Sequence, residues 1–425
     1  MPRAGGAGRQ TLRPGVRQDA SVANEADQSR TKARLLDLFA EVSRTVEPHT
    51  LGPLTAEAVE VVGGRHGALY LVDLEQQDLI PVGDDSSGEK LSIDGSIAGR
   101  AFRSAEQLAV AQDDGSTRLW IPLIEGAERI GVIGATQDTL TDEHRATYAD
   151  LAHLVASLVV SKSQIGDSLN VVRRTRDVDL AAELRWSLLP PLTAASPDVS
   201  IAAILEPAYQ IAGDAFDYAV NPGIAHIAVF DAVGHGLEAS RLANLAVGSY
   251  RHSRRRGLDL AATYQEMDHV VAAQFGESRF VTAQFAQLDV ACGRLRWLDA
   301  GHPKPLRLRN GAVSQLDGDV CLPVGLASMG PDKGATHTAD TCEASLEPGD
   351  GVLFFSDGVT EARSPTGELF GVDRLGEFLV RAASAGEALP ETVRRLARAV
   401  LAHQQDHLQD DASIVLMNWH PDNRC

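Results

Sequence analysis

The hydrophobic positions in the first third of the chain change from helical spacing to strand-like runs. Residues 31–62 carry apolar side chains at helical spacing, broken by two prolines, which predicts two amphipathic helices. Strand-like apolar runs follow at residues 68–73, 118–124 and 129–137, with a short helix expected between the first two. This order predicts a small antiparallel sheet with helices.

A helical pattern connects this region to the rest of the chain. Thr141 is the expected N-cap of a helix. Apolar residues then recur three and four positions apart, at Leu151, Val155, Leu158, Ile165, Leu169 and Val172. The spacing fits either a dimerising signalling helix or a helix packed within one chain. Helical character continues to Leu188 and ends at Pro190 and Pro191, since proline lacks the amide donor.

Beyond this linker, short strands alternate with helices. Helices are expected near residues 236–256 and 260–275, and a third begins at Pro390 with an apolar stripe that marks it as core. The fold class predicted for the whole chain is α+β. The predicted parts are a disordered tail (1–30), a first domain (31–165), a helical linker (166–195) and a second domain (196–420).

Composition narrows the classes of function. The formal charge of −19 disfavours a nucleic-acid partner, because such partners are bound through neutralising Lys and Arg. The four cysteines show no metal-ligand spacing. No run of 18 apolar residues and no apolar signal-peptide core occur, so we expect no membrane association and a cytoplasmic protein.

Two acidic residues are predicted to meet in a hairpin of the second domain. Residues 211–220 and 224–230 are expected to be strands joined by the turn Asn221-Pro222-Gly223. If the turn centres on Pro222, Asp214 lies across from Phe230. Asp214 is then within one residue of Asp231, which ends the second strand.

Further acidic residues stand at the ends of other strands. Asp357 and Gly358 end an apolar run, and Asp410 and Asp411 precede the strand ASIVLMNW. A single Asp beside Gly is most often a turn residue. Several together, unaccompanied by Lys or Arg in the sequence, favour a metal site, because clustered carboxylates repel one another unless protonated or bridged by cations such as Mg²⁺ or Mn²⁺.

Six strings in order resemble the SpoIIE or RsbU-like branch of the metal-dependent serine/threonine phosphatases (the PPM superfamily). They are AGDAFDYAV, FDAVGHGLEAS, LDAGHPKPLRLR, LPVGL, LFFSDGVTEARSPTGELFG and DDASIVL. The resemblance covers about residues 180–420 and implies a PPM-type α-β-β-α sandwich with metals in a cleft at one end. The chain departs from the usual pattern at Ala212, at Ala232-Val233 and at Asp299, where Gly, Val-Ser and Asn are usual.

The same resemblance implies roles for individual residues. The implied metal ligands are Asp214, Asp231, Asp357, Asp410 and the backbone carbonyl of Ala232. Asp231 would bridge two ions, Mn²⁺ or Mg²⁺, and Asp214 would act mostly through bound water. These two are the expected catalytic carboxylates, acting on a metal-activated water. Asp411 is the less expected ligand of its pair.

Residues 31–165 resemble a GAF domain in their order of helices, in the IPL and GVIGATQ strands and in the closing helix. This implies a sensor that either binds a small molecule or only dimerises. The phosphatase resemblance implies a phosphorylated protein substrate, a STAS-type anti-sigma factor antagonist, and a possible homodimer. Two alternatives stay open: a catalytically silent signalling scaffold and a ligand-sensing dimerisation module. His235 and His302 could serve as acid or base or could only pack their loops.

Overall fold

The computed structural model describes residues 33–35, 37–39, 47–83, 89–210, 213–327, 339–405 and 408–421. The expected disordered tail, residues 1–30, lies outside this range. The chain divides into two compact units, the first comprising residues 1–71, 79–125 and 130–172 and the second residues 72–78, 126–129 and 173–425. Among the described residues no helix is both long and apolar enough to cross a membrane.

The first unit is built on a six-stranded sheet with the strand order β3-β2-β1-β6-β5-β4. Its strands are β1 (Arg65–Val72), β2 (Asp78–Val82), β3 (Leu91–Ser92), β4 (Leu108–Ala111), β5 (Thr117–Glu125) and β6 (Glu128–Gln137). Its helices are α1 (Leu51–Val61), α2 (Ile97–Ser104), α3 (Asp142–Ser163) and α4 (Ser168–Val172). Alternate residues of the central strands, such as Leu119 and Ile121, are buried in a core with Leu51 of α1 and Tyr148 of α3. The predicted combination of sheet and helices is present, and the GAF assignment stays a prediction.

The helix expected to run through the linker is instead three helices. Thr141 caps α3 as predicted, its hydroxyl accepting the backbone N–H of His144, but α3 ends at Ser163. Between Ser163 and Pro190 the structure contains only the short helices α4 and α5 (Leu180–Trp186). The Asp179 side chain is the N-cap of α5, which therefore begins as a separate helix. Ile165, expected on the apolar stripe, is 74% exposed. The prediction of one continuous apolar helix face is therefore wrong beyond Ser163. A homodimer stays a prediction.

The second unit contains two sheets. The first has the order β15-β12-β11-β10-β9 and the second the order β14-β13-β16-β17-β8-β7. The strands of the first are β9 (Asp214–Asn221), β10 (Ile224–Ala232), β11 (Val281–Asp289), β12 (Arg294–Ala300) and β15 (Cys342–Ser345). Those of the second are β7 (Thr193–Ala195), β8 (Val199–Glu206), β13 (Leu306–Arg309), β14 (Ala312–Gln315), β16 (Gly351–Phe355) and β17 (Ala412–Trp419).

Helices cover the outer face of each sheet. The helices α6 (Gly236–Arg255) and α7 (Leu260–Phe275) share a core with the first sheet. The helices α9 (Gly371–Ser384) and α10 (Leu389–His403) share a core with the second, and α8 (Asp357–Thr360) is a single turn after β16. A third core lies between the sheets. The expected α-β-β-α layers are thus present in this mixed α/β unit.

Burial on both faces explains why these strands are continuously apolar. In β10, Val229 lies in the core between the sheets, whereas the next residue, Phe230, lies in the core beneath α6 and α7. In β16, Phe354 and Phe355 divide in the same way between the inner core and the core beneath α9 and α10. A strand with two buried faces needs apolar residues at every position, so it loses the alternation of a half-exposed strand.

Candidate metal site

The β9–β10 hairpin places two carboxylates directly opposite each other. Asn221 pairs with Ile224 around a two-residue turn, and this register pairs Asp214 with Asp231. The sequence predicted Asp214 opposite Phe230, one residue away, because the turn was centred on Pro222 rather than between Pro222 and Gly223. The expected proximity of the two carboxylates is confirmed. The start of the predicted first strand, residues 211–212, lies outside the described residues.

A glycine allows the β9 end to approach the β10 end closely. A Cβ atom on Gly213 would lie 2.4 Å from the Ala232 carbonyl oxygen, and the Ala232 N–H donates to the Gly213 carbonyl over 3.1 Å. No larger residue fits there without moving one of the two backbones. Gly213 therefore holds Asp214 beside Asp231 and Ala232.

The second sheet contributes its acidic residues through a similar contact. A Cβ atom on Gly358 would lie 1.9 Å from the Asp411 carbonyl oxygen, so the turn after β16 is packed against the chain that enters β17. The Ser356 N–H donates to the Ser413 carbonyl over 3.0 Å. This contact brings Asp357 next to Asp410.

Hydrogen bonds join the two sheet ends. The Asp411 carboxylate accepts the backbone N–H groups of Gly213, over 2.8 Å, and Asp214, over 3.3 Å. The Ser356 hydroxyl donates to Asp214 Oδ2 over 2.5 Å. The Asp411 carboxylate is therefore occupied by hydrogen bonds to the backbone of the Asp214 segment. Asp410, the exposed member of the pair, is then the better candidate for a metal ligand.

Crowding raises the pKa values of these carboxyl groups. Burial and then the charges of Asp357, Asp410 and Asp411 raise the pKa of Asp231 to about 7. Burial, followed by Asp231 and Asp411, raises the pKa of Asp214 well above its usual range. Since each charge disfavours ionisation of its neighbours, the group favours a bound cation or bound protons at neutral pH.

The donor set fits hard divalent cations, although the side chains do not yet converge. Carboxylate and carbonyl oxygens are the ligands that Mg²⁺ and Mn²⁺ prefer. Within the described ranges, no three Asp, Glu, His or Cys side chains already form a cluster that could hold a metal. Asp214 is instead oriented by Ser356, and Asp410 Oδ1 accepts the N–H of Asp411 over 2.9 Å. Metal binding would therefore require side-chain rotations within a preformed backbone arrangement.

Sequence reasoning missed a buried arginine beside these carboxylates. Arg185 of α5 is fully buried, and its Nη1 donates to Asn244 Oδ1 over 2.9 Å. Burial lowers its pKa to about 10, while the charges of Asp214 and Asp411 oppose that change. The premise that no Lys or Arg accompanies the acidic residues is therefore wrong. Arg185 is 29 positions before Asp214, and a single arginine in a helical pattern gives no signal of such a contact.

The two histidines of the motifs occupy different environments. His302 is buried, its Nδ1 lies 3.1 Å from the Thr282 hydroxyl, and burial lowers its pKa to about 3, which favours the neutral imidazole. Asp299, which replaces the usual Asn, accepts the His302 N–H over 2.9 Å. An Asn oxygen could accept the same bond, which explains why either residue suits the turn. His235 is exposed, immediately before α6.

Comparison with known proteins finds similarity in the second unit. The family model described as Stage II sporulation protein E (SpoIIE) matches residues 221–420. Phosphoserine phosphatase RsbU of Bacillus subtilis is 24% identical over 243 residues, covering 57% of this chain and 69% of RsbU. Protein IcfG of Synechocystis sp. is 29% identical over 151 residues, covering 34% of this chain and 22% of IcfG. The solved SiaA-PP2C domain of Pseudomonas aeruginosa aligns with a TM-score of 0.47 and 21% identity, covering 61% of this chain and 98% of that domain.

The match to the SpoIIE family model is confined to residues 221–420, just under half of the chain, and the chain is a phosphatase similar to RsbU. The matched range contains Asp231, Asp357 and Asp410, whereas Asp214 precedes it. The position of Asp214 in the site comes from the hairpin register and from its hydrogen bonds with Ser356 and Asp411.

Replacing Gly358 by Ala should weaken metal binding, because the added Cβ would clash with the Asp411 carbonyl and separate Asp357 from Asp410. We expect the Mn²⁺ dissociation constant, measured by calorimetry, to rise at least about tenfold. Gly248→Ala in α6 is the matched control, since a Cβ there meets nothing within 4 Å and alanine favours a helix by roughly 0.5–1 kcal/mol. Equal affinity in both variants would contradict the role given to Gly358.

Asp231→Asn should stabilise the metal-free protein and remove its stabilisation by metal. Because the folded-state pKa of Asp231 is raised to about 7, its favourable contribution to stability is complete below about pH 4 and is lost as pH rises through about 7. In chelator at pH 8, the melting temperature of the variant should exceed that of wild type by a few degrees. Added Mn²⁺ should raise the melting temperature of the wild type only. If the variant instead melts at a lower temperature than wild type in chelator, repulsion between Asp231 and its neighbouring carboxylates does not destabilise the metal-free protein.

Arg185→Gln should destabilise the protein because it removes a positive charge that lies near the buried carboxylates of Asp214 and Asp411. Breaking a buried charge pair costs about 3–5 kcal/mol, which urea unfolding would detect. The loss should be largest in chelator and smaller at saturating Mn²⁺, since bound cations replace part of the missing charge. A loss unaffected by Mn²⁺ would mean that Arg185 only fills space.

Proposed function

We propose that this chain, whose residues 221–420 carry a domain of the SpoIIE family, is a metal-dependent protein serine/threonine phosphatase. The proposed reaction is hydrolysis of phosphoserine or phosphothreonine on a regulatory protein. The observation that carries the proposal is the grouping of Asp214, Asp231, Asp357 and Asp410 at the same end of two stacked sheets. Carboxylates gathered in this way repel one another and favour divalent cations over an empty site.

The residues proposed to hold two ions, Mn²⁺ or Mg²⁺, are Asp214, Asp231, Asp357, Asp410 and the Ala232 carbonyl. When bound, such ions polarise phosphoryl oxygens and lower the pKa of a bound water. Asp231 would be able to hold both ions, since it faces Asp214 across the hairpin and its pKa is raised by the nearby charges of Asp357 and Asp410.

The chain's own groups order the site before the substrate arrives. Ser356 donates a hydrogen bond to Asp214 Oδ2 and so holds this carboxylate near the end of the second sheet until metal binds. Asp411 fixes the backbone of the same segment. The attacking water adds to phosphorus and gives up a proton, the phosphorus–oxygen bond to serine or threonine breaks, and the leaving oxygen takes up a proton to become the free hydroxyl. Such fixed positioning lowers the activation barrier without rearrangement during the reaction.

The proposed substrate is a phosphorylated STAS-type anti-sigma factor antagonist. Support comes from the likeness to RsbU, whose own description is a phosphoserine phosphatase. We further propose that residues 31–165 form a GAF-like sensory domain that regulates turnover, through a small-molecule ligand or a homodimer. The phosphatase would act in the cytoplasm.

Hydrolysis of a phosphoserine peptide and of p-nitrophenyl phosphate tests this proposal. Wild type should turn over both with Mn²⁺ or Mg²⁺ and neither in chelator. Asp231→Asn should lose at least about 100-fold in kcat/KM, because its charge holds the metals. The same change at Asp373, an exposed residue of α9, is the control and should have no effect.

Two results would contradict the proposal. Turnover that persists in chelator, or that survives in Asp231→Asn, would exclude the two-metal site. Inactive wild type that nevertheless binds its partner would favour the silent scaffold. Repeating the assay on the full chain with each candidate small molecule would then separate the scaffold from a phosphatase held inactive by its sensor.

A further inference from the structure

An arginine stands beside the loop that follows Asp231. The Arg279 guanidinium lies against Gly234, three residues after Asp231, where a Cβ atom would be 3.1 Å from Arg279 Nη1. Its Nη2 donates to Glu238 Oε2 in the first turn of α6. The side chain of Arg279 is 38% exposed and that of Glu238 72% exposed, so solvent and solutes reach this pair.

The backbone that carries Arg279 is fixed from two sides. The Val233 N–H donates to the Phe280 carbonyl over 3.1 Å, which ties this segment to the loop after Asp231. On the other side, Val281 and Val324 exchange two hydrogen bonds of 3.0 and 2.9 Å. The backbone next to Arg279 is therefore held at the same end of the sheet as Asp231. Asp231 pairs with Thr282, which is three residues after Arg279.

The chemistry of this pair suits a phosphate. A guanidinium donates two parallel hydrogen bonds to a carboxylate or to a phosphoryl group, and phosphate carries more charge than the single carboxylate of Glu238. An exposed ion pair contributes little stability, about 0–1 kcal/mol, so an incoming anion can displace Glu238 at small cost. Arg279 is 48 positions beyond Asp231, so no local sequence motif joins the two residues.

We propose that Arg279 binds the phosphoryl group of the substrate and that Glu238 holds the guanidinium in place when no substrate is bound. Arg279 binds the phosphoserine or phosphothreonine phosphate before and after hydrolysis, and so also binds the inorganic phosphate product. This inference rests on the proposed phosphatase activity but concerns a residue outside the carboxylate group.

The test measures KM for a phosphoserine peptide and the dissociation constant of inorganic phosphate on the Mn²⁺-loaded full chain. Arg279→Gln should raise both about 10- to 100-fold, the expected loss of a charged hydrogen bond, with little change in kcat. Arg279→Lys should give values of both constants between those of wild type and Arg279→Gln, because lysine keeps the charge but lacks the two parallel donors of the guanidinium. Glu238→Gln should shift both constants the opposite way, about two- to fivefold, because the guanidinium is then free.

Arg296→Gln is the matched control, since Arg296 is also half-exposed and paired with a carboxylate, Glu343 of β15. It should change neither constant, and thermal unfolding should show every variant folded. Unchanged phosphate binding in Arg279→Gln would overturn the inference even if wild type is an active phosphatase. Arg279-dependent phosphate binding in an inactive wild type would support the inference while refuting the proposed activity. Absence of phosphate binding by wild type would refute the inference.

Discussion

Electrostatic repulsion among crowded carboxylates is the constraint on which the second unit depends. The four carboxylates proposed as ligands and Asp411 meet at one end of the two sheets, where burial weakens the solvation of charge. Such a group is unfavourable unless protons, a guanidinium or cations compensate it. Arg185 supplies one positive charge from α5, and divalent ions would supply the rest. The fold therefore retains an arrangement that lowers its own metal-free stability, as functional sites commonly do.

Much of this arrangement could be predicted from local patterns. Short turn sequences fix hairpin register, so the meeting of Asp214 and Asp231 followed from a three-residue turn, with an error of one position. The apolar runs of β16 and β17 indicated strands, and Asp357 and Asp410 followed as residues at their ends. The bounds of α6 and α7 and the start of α10 were predicted within about a residue, because glycine, aspartate and proline mark these ends, whereas α8 and α9 were not predicted.

Contacts between distant parts of the chain could not be predicted. Arg185 occupies one helical position among several, and only the packing of α5 places it near Asp214 and Asp411. The preference for Asp410 over Asp411 as the proposed metal ligand depends on hydrogen bonds that Asp411 makes to residues almost 200 positions away. The linker was predicted as one helix because apolar spacing shows which residues share a face and does not show where a helix stops and restarts.

Anomalous X-ray diffraction from crystals of the protein grown with Mn²⁺ tests the central claim most directly. Two manganese peaks are predicted at the shared end of the two sheets, with Asp231 between them and with Asp357 and Asp410 on one of the ions. Asp411 should keep its contacts to the backbone of Gly213 and Asp214. Peaks elsewhere, or no peak in contact with Asp231 at saturating Mn²⁺, would contradict the account.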